Sequence, residues 1–403
     1  MPFDDVVSVS PEIKAELLRE LALEVAQPHS DIGVRAGLDA LHPTHRGKPV
    51  VSFACWDLLG IHGNPEAAAA MVRGAEEFGI AANVARLSGG IHAPLTQSET
   101  RIAKFFVAES ALIFSTRNQA VLTTITALCG EGVVVMGTPL SSLPLADACA
   151  LVGGDFVEFD GESQLRAELQ KYGLARRVVV VIEGVSAISG QVAPLQHLLT
   201  AIEHVGAWAI IDETNALGWS GIRGAGSAEI VPSHPSILGR IVGFQGVAGS
   251  EVCALVSSQE LRELLISRSR YLKQEPPPPA ATLRFLTTLV DTVEVALSQR
   301  DKLAARSLMV NRSVKAQGWK VVGTESSPIL SLWFDTLHSA RTAQEALLQR
   351  GVLVEALAAR SLRRNGAVIR ALLSNLHTQE EVLILLSSLD EVRKRIDKAT
   401  ASM

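Results

Sequence analysis

Eight short apolar runs recur between residues 51 and 257, and most are built from valine and isoleucine with little polar alternation. They are "VSFAC" (51–55), "ALIFS" (111–115), "GVVVM" (132–136), "DFVEF" (155–159), "RVVVVIEG" (177–184), "AWAIID" (207–212), "RIVGF" (240–244) and "VCALVS" (252–257). A strand wetted on one face alternates apolar and polar residues, whereas a strand covered on both faces need not. Near-continuous runs therefore predict strands buried on both sides. Helical patterns at 64–78, 97–107, 117–128, 195–205 and 258–270 separate several of them. Strand–helix alternation of this kind argues for an α/β fold with a mainly parallel sheet. Such sheets bind ligands at the loops that follow the strand C-termini.

Further along, the pattern changes. Four prolines at 276–279 interrupt the chain and can start a helix. A helical stretch from about Ala280 to Gln317 follows, long enough to link two lobes. Strands "ILSLWF" (329–334), "GVLVE" (351–355) and "AVIRALL" (367–373), with helices at 339–350 and 378–397, read as a smaller α+β lobe. The expected organisation is an N-terminal helical arm (1–50), a large domain (51–280), and a linking helix with a small C-terminal domain (281–403).

Composition narrows the function classes. A chain of 403 residues, 47% hydrophobic and 20% charged, suits a globular protein with a large core. Its formal net charge of -5 leaves no basic footprint for nucleic acid. No apolar run approaches the ~18 residues of a membrane-spanning helix. The start, "MPFDDVVSVSPEIKAELLREL", is acidic and then amphipathic, unlike a signal peptide. Cys55, Cys129, Cys149 and Cys253 lie far apart without CxxC spacing and read as reduced, buried thiols of a cytoplasmic protein. His62 and His92 fall near the expected cleft, but neither has a metal-like partner at helical spacing.

Five motifs in order carry a resemblance. "FACWDLLGIHGNPEA", "EEFGIAANVARLSGGI", "VVVIEGVSAISGQVAPL", "IIDETNALGWSGIRGAG" and "VIRALLSNLHT" span residues 53 to 378. In this order they resemble the α-oxoamine synthase family of pyridoxal-phosphate enzymes, which have the fold type I aminotransferase architecture. The resemblance covers roughly residues 50–395. It implies a large domain with a mainly parallel sheet, a small C-terminal domain, and active sites built between two subunits. It also implies a chemistry: the cofactor forms an imine with a lysine, exchanges it for an amino acid, and stores electrons in its ring. An aspartate holds the ring nitrogen protonated, an aromatic or imidazole ring stacks on the ring face, and backbone and hydroxyl donors take the phosphate. The amino acid then attacks an acyl-CoA thioester and loses its carboxyl group.

The residues at those positions depart from the family's. Its lysine motif aligns with "GFQGVAG", which puts Val247 or its neighbour at the imine lysine. Between Lys171 and Lys302 the sole lysine is Lys273, in a stretch the family directs at the neighbouring subunit's phosphate. Asn215 stands for the histidine that follows the aspartate motif, and Ser141 or Ser142 for the stacking ring. Thr116 stands for the phosphate-loop glycine, Ala187 for a serine, and Glu275 for a phosphate-contacting threonine. Arg117 could attract an anion, and a surface arginine is the simpler account. Asp212 matches the ring-nitrogen aspartate, and a strand-end residue satisfied by backbone donors is an equal reading. Arg370 matches the arginine that binds the substrate carboxylate, and pairing with a structural carboxylate is the alternative. Arg86, Gly90, Glu99 and Gly184 match positions that mostly shape loops, and Gly184 and Gly190 would permit tight turns whatever the function. His377 and Thr378 match the family's C-terminal pair, and Thr378 also reads as a helix cap before "QEEV".

The sequence thus implies a catalytically inactive homologue. It would bind no pyridoxal phosphate covalently and would serve as the non-catalytic subunit of a heterodimeric acyl-CoA:amino acid C-acyltransferase. The family's precedent is the lysine-lacking subunit of serine palmitoyltransferase, which this chain resembles in "SSPILSLWF" and "GWKVVG". The cofactor is then expected in a lysine-bearing partner, with acyl-CoA a possible shared ligand. Two further readings are a cofactor-free homodimer that binds or regulates, and an active enzyme that recruits Lys273.

Overall fold

Seven strands form the central sheet of the computed structural model, which describes residues 41–82, 84–138, 142–172, 176–358 and 366–401. Numbered within this sheet in chain order, they are β1 (Ser110–Phe114), β2 (Val133–Gly137), β3 (Asp155–Glu158), β4 (Arg177–Glu183), β5 (Trp208–Asp212), β6 (Ile237–Gly243) and β7 (Cys253–Ser257). Their order across the sheet is β1-β7-β6-β5-β4-β2-β3. β7 is antiparallel to both its neighbours, and the other pairings are parallel. β1, β2 and β7 are buried along their whole length, as unbroken apolar runs require. "DFVEF" behaves differently: β3 is the edge strand, and its residues are half-buried or exposed.

Helices cover both faces. On one side pack Arg117–Leu128, Ser142–Ala150 and Gln259–Arg268 over Leu112, Val135, Val179 and Leu255. On the other, Glu162–Tyr172 and Leu195–His204 cover Val134, Val180 and Ile211. Full burial of each such side chain stabilises the fold by about 1.5–3 kcal/mol. Helices Ser142–Ala150 and Glu162–Tyr172 were not among the sequence expectations. The expected helix at 258–270 ends at Arg268, and a short helix, Arg270–Gln274, restarts under the cap of the Ser269 hydroxyl.

Pro279 caps the helix Ala280–Val295, as the proline run predicts. The expected single helix to Gln317 is instead two, because the chain turns at Ala296 before Leu297–Ala316. A second, antiparallel sheet has the order Val321–Val322, Ile329–Phe334, Ala367–Leu372, Glu355–Ala358. The expected strand 351–355 divides: Val352–Leu353 pairs in parallel with Val51–Ser52, and Glu355–Ala358 joins the second sheet. The run at 51–55 accordingly contributes only Val51–Ser52 as strand, beside the C-terminal part of the chain. One apolar cluster runs from Phe53 and Phe244 through Leu286 to Ile369 and Leu389, so both sheets share a core. The expected N-terminal arm lies, up to residue 40, outside the described residues. Thr44–His45 and Lys48–Pro49 form a small hairpin.

No disulfide links the described cysteines. Burial pushes the Cys129 thiol up to about 12 and the Cys149 thiol up to about 11, so both remain protonated.

Candidate functional site

The strand ends β2, β4, β5 and β6 meet at one edge of the sheet. Glu183 closes β4 beside Asp212, which closes β5; the two are register partners. Asp212 is 3% exposed. Its Oδ1 accepts from the backbone N–H of Thr214 at 3.0 Å and from the Thr214 hydroxyl at 2.6 Å. Its Oδ2 accepts from Arg117 Nε at 2.7 Å and pairs with Arg117 Nη2 at 2.5 Å. Arg117 is therefore not a free surface arginine, contrary to the sequence reading. It is the counter-ion of a buried carboxylate, and Asp212 in turn raises the guanidinium's pKa. Backbone donors, the other reading of Asp212, supply one of its four contacts, and side chains supply the other three.

Glu183 completes this group. Thr138, just past β2, donates to its Oε2 at 3.2 Å. Burial and the neighbouring Asp212 charge push its carboxyl up to about 7, against the pull of Arg117 and Thr138. Sequence reading did not single out Glu183, although it lies inside the quoted "VVVIEG" motif.

Arg117 begins the helix Arg117–Leu128, and Thr116 is its cap, with Oγ1 accepting from Gln119 N at 3.1 Å. The Gln119 side chain accepts from Ser115 N at 2.8 Å and donates to the Glu275 carboxylate. This helix mouth, which the resemblance assigns to a phosphate, thus faces an acidic side chain of the same molecule.

Val247 sits in a one-turn helix, Gln245–Ala248, which ends at Gly249. It is fully buried, and Gly246 and Ala248 beside it are buried as well. Gly218 covers it: with φ +88, a Cβ there would meet Val247 Cγ2 at 2.8 Å and Leu59 Cδ1 at 3.3 Å. Only glycine meets both constraints. Asn215 spends its amide on Val185 O at 3.3 Å, and its own carbonyl accepts from Trp219 Nε1 at 2.8 Å. Ser141 lies outside the described residues. Ser142 starts the helix Ser142–Ala150, and its side chain is likewise outside them.

Arg370 stands on Ala367–Leu372 directly across from Glu355. Its Nη2 and Nε donate to Glu355 Oε2 at 2.6 and 3.1 Å, and its Nη1 donates to Ala187 O at 2.6 Å. The guanidinium lies 5.1 Å from the centre of the Trp56 ring. Arg370 thus pairs with a carboxylate of the chain itself, as one of its two sequence readings has it. Glu355 and Trp56 were not anticipated. Cross-strand register decides which residues meet, and no local pattern announces it.

The remaining motif positions are mostly built into loops. Arg86 pairs with Glu99 at 2.6 Å in the interior, and Glu99 also accepts from Ile113 N and Arg262. Gly90 approaches the chain so closely that a Cβ would lie 2.1 Å from Val84 O. His377 stacks on Phe53, accepts from Ser374 N at 3.0 Å and bonds to Ser52 O at 3.0 Å. Thr378 and Glu381 form a reciprocal capping box. His92 caps the helix Ala93–Phe105. Lys273 is exposed on Arg270–Gln274. Among the described residues no group of three or more His, Cys, Asp or Glu side chains is placed to hold a metal.

Residues 63–389 match the family model described as aminotransferase class I and II. The 8-amino-7-oxononanoate synthase of Nitrosospira multiformis is 30% identical over 358 residues, 88% of this chain and 89% of that protein. The solved serine palmitoyltransferase of Sphingomonas wittichii superposes with a TM-score of 0.85 at 23% identity, covering 97% of this chain and 98% of its own. The 8-amino-7-oxononanoate synthase of Francisella tularensis superposes with a TM-score of 0.75 at 19% identity, covering 87% and 99%.

Proposed function

The chain belongs to the aminotransferase class I and II family, in its α-oxoamine synthase branch, and we propose that it is a member that holds no pyridoxal phosphate of its own. In this reading it is the non-catalytic subunit of a heterodimer. Its partner carries the lysine and condenses an amino acid with an acyl-CoA, as a serine palmitoyltransferase does. One observation supports the reading: Val247, at or beside the position where the motif alignment puts the family's lysine, is packed under Gly218, and its neighbours are buried and lack an amine too. The other residues do not fit the cofactor either. The aspartate for the ring nitrogen is saturated by Arg117 and Thr214. The helix mouth for the phosphate faces Glu275. Lys273 offers no substitute, being exposed on a separate helix.

A paired state is supported by Phe78, Ile80, Val84, Leu87 and Ile91, large apolar side chains exposed within fourteen residues, with Ile80 86% exposed. Apolar patches of this kind mark interaction surfaces. The acidic Glu275 favours a second reading, a cofactor-free homodimer, because a carboxylate there would repel rather than hold a partner's phosphate.

Co-expression with a lysine-bearing homologue separates the two. The subunit reading expects a one-to-one complex with one cofactor per pair and acyl-CoA condensing activity. A candidate partner that is fully active alone and does not co-purify with this chain sinks that reading and leaves the homodimer.

A further inference from the structure

We infer that Arg117 is a resident cation that takes the ring-nitrogen place on Asp212 and thereby excludes pyridine cofactors from the cleft. The inference rests on the cofactor-free reading and supplies its physical cause. A carboxylate buried as deeply as Asp212 needs a cationic or hydrogen-bonding partner on each oxygen, because an unpaired buried charge is costly. Thr214 supplies both contacts of Oδ1, and Arg117 supplies both contacts of Oδ2. No acceptor site is left for a protonated ring nitrogen unless the guanidinium leaves.

The guanidinium is well suited to stay. It is permanently charged, and its planar fork presents two N–H donors to one oxygen, which a lysine could not do. Asp212 strengthens its hold on the proton further. Its origin also matters. Arg117 projects from the start of Arg117–Leu128, the helix that follows β1, and reaches the end of β5, which lies three positions away in the sheet order. The side chain therefore ties the start of that helix to the end of β5. At the mouth of the same helix, Thr116 takes the Gln119 N–H, and the Gln119 amide holds the Glu275 carboxylate. A ring with an anionic arm would have to displace Arg117 at one end and face Glu275 at the other.

The test uses pyridoxamine phosphate, which needs no lysine because it forms no imine with one. Its affinity is measured by calorimetric titration on the full-length chain and on Arg117→Ala, Arg117→Gln and Arg117→Ala/Asp212→Asn, with circular dichroism confirming each fold. Arg117→Gln keeps the aliphatic stem and an amide donor while removing the charge, so it guards against a misfolded alanine variant. The inference expects Arg117→Ala and Arg117→Gln to bind at least tenfold more tightly than the wild-type chain. It expects the gain to vanish when Asp212→Asn is added. Equal affinity of the wild type and both single variants overturns it, as does a gain that survives Asp212→Asn. The cofactor-free reading fails by a different signal, a single wild-type lysine labelled stoichiometrically after borohydride reduction with pyridoxal phosphate.

Discussion

Glu183 couples the cleft to pH. Its carboxyl is raised from 4.5 to about 7 in the fold, chiefly by burial and then by Asp212, while Arg117 and Thr138 pull the other way. Well below pH 4.5 the group is protonated folded or unfolded and contributes nothing. Between 4.5 and 7 the unfolded chain releases the proton and the folded chain keeps it, so stability falls as pH rises through that window and then levels off. The loss is at most about 3 kcal/mol, lessened by water that reaches the half-buried side chain. Urea unfolding at about pH 5 and about pH 8 should show this fall in the wild type and a smaller one in Glu183→Gln. An unchanged slope in the variant would place the titrating group elsewhere. Arg117 belongs to the same group. Its removal strands a buried carboxylate and is expected to cost about 3–5 kcal/mol without a ligand, measured by the same unfolding curves.

At the scale of elements, the turn Gln245–Ala248 is a packed piece of core. Val247→Lys forces a longer, charged side chain beneath Gly218, so the variant should lose about 2–4 kcal/mol of stability. It should also fail to condense an amino acid with acyl-CoA, because imine, ring and phosphate contacts act as a unit. Turnover by this single variant would show a cleft more open than the Arg117–Asp212 pair allows. The strands around this turn were legible because unbroken Val/Ile runs in β1, β2 and β7 have few alternatives to a doubly covered strand. The helix Ser142–Ala150 was not, since "SLPLADACA" carries an internal proline and little amphipathic contrast. Nor was the break at Ala296, which no glycine or proline marks. Of the site, the motifs made the positions Val247, Asp212 and Arg370 legible as candidates. What fills them was not, because Arg117 reaches across the sheet and Glu355 meets Arg370 through strand register.

For the whole molecule, the two sheets share one core and leave Phe78, Ile80, Val84, Leu87 and Ile91 outside it. No helix among the described residues is long and apolar enough to cross a membrane. The patch flanks Arg86 and Gly90, so the loop they shape should matter to any pair the chain forms. Gly90→Trp, which drives atoms into Val84 O, is expected to lower the activity of a co-expressed pair while leaving the partner's lysine intact. Activity unchanged by that substitution would remove the loop from the interface. The central claim, that this chain holds no cofactor, is tested most directly on the purified wild-type protein. It is saturated with pyridoxal phosphate, reduced with borohydride, digested, and its peptides weighed. The account predicts no saturable imine absorbance and no lysine carrying the reduced cofactor stoichiometrically, only scattered labelling of exposed lysines. A stoichiometric label on a single lysine, Lys273 above all, would contradict it.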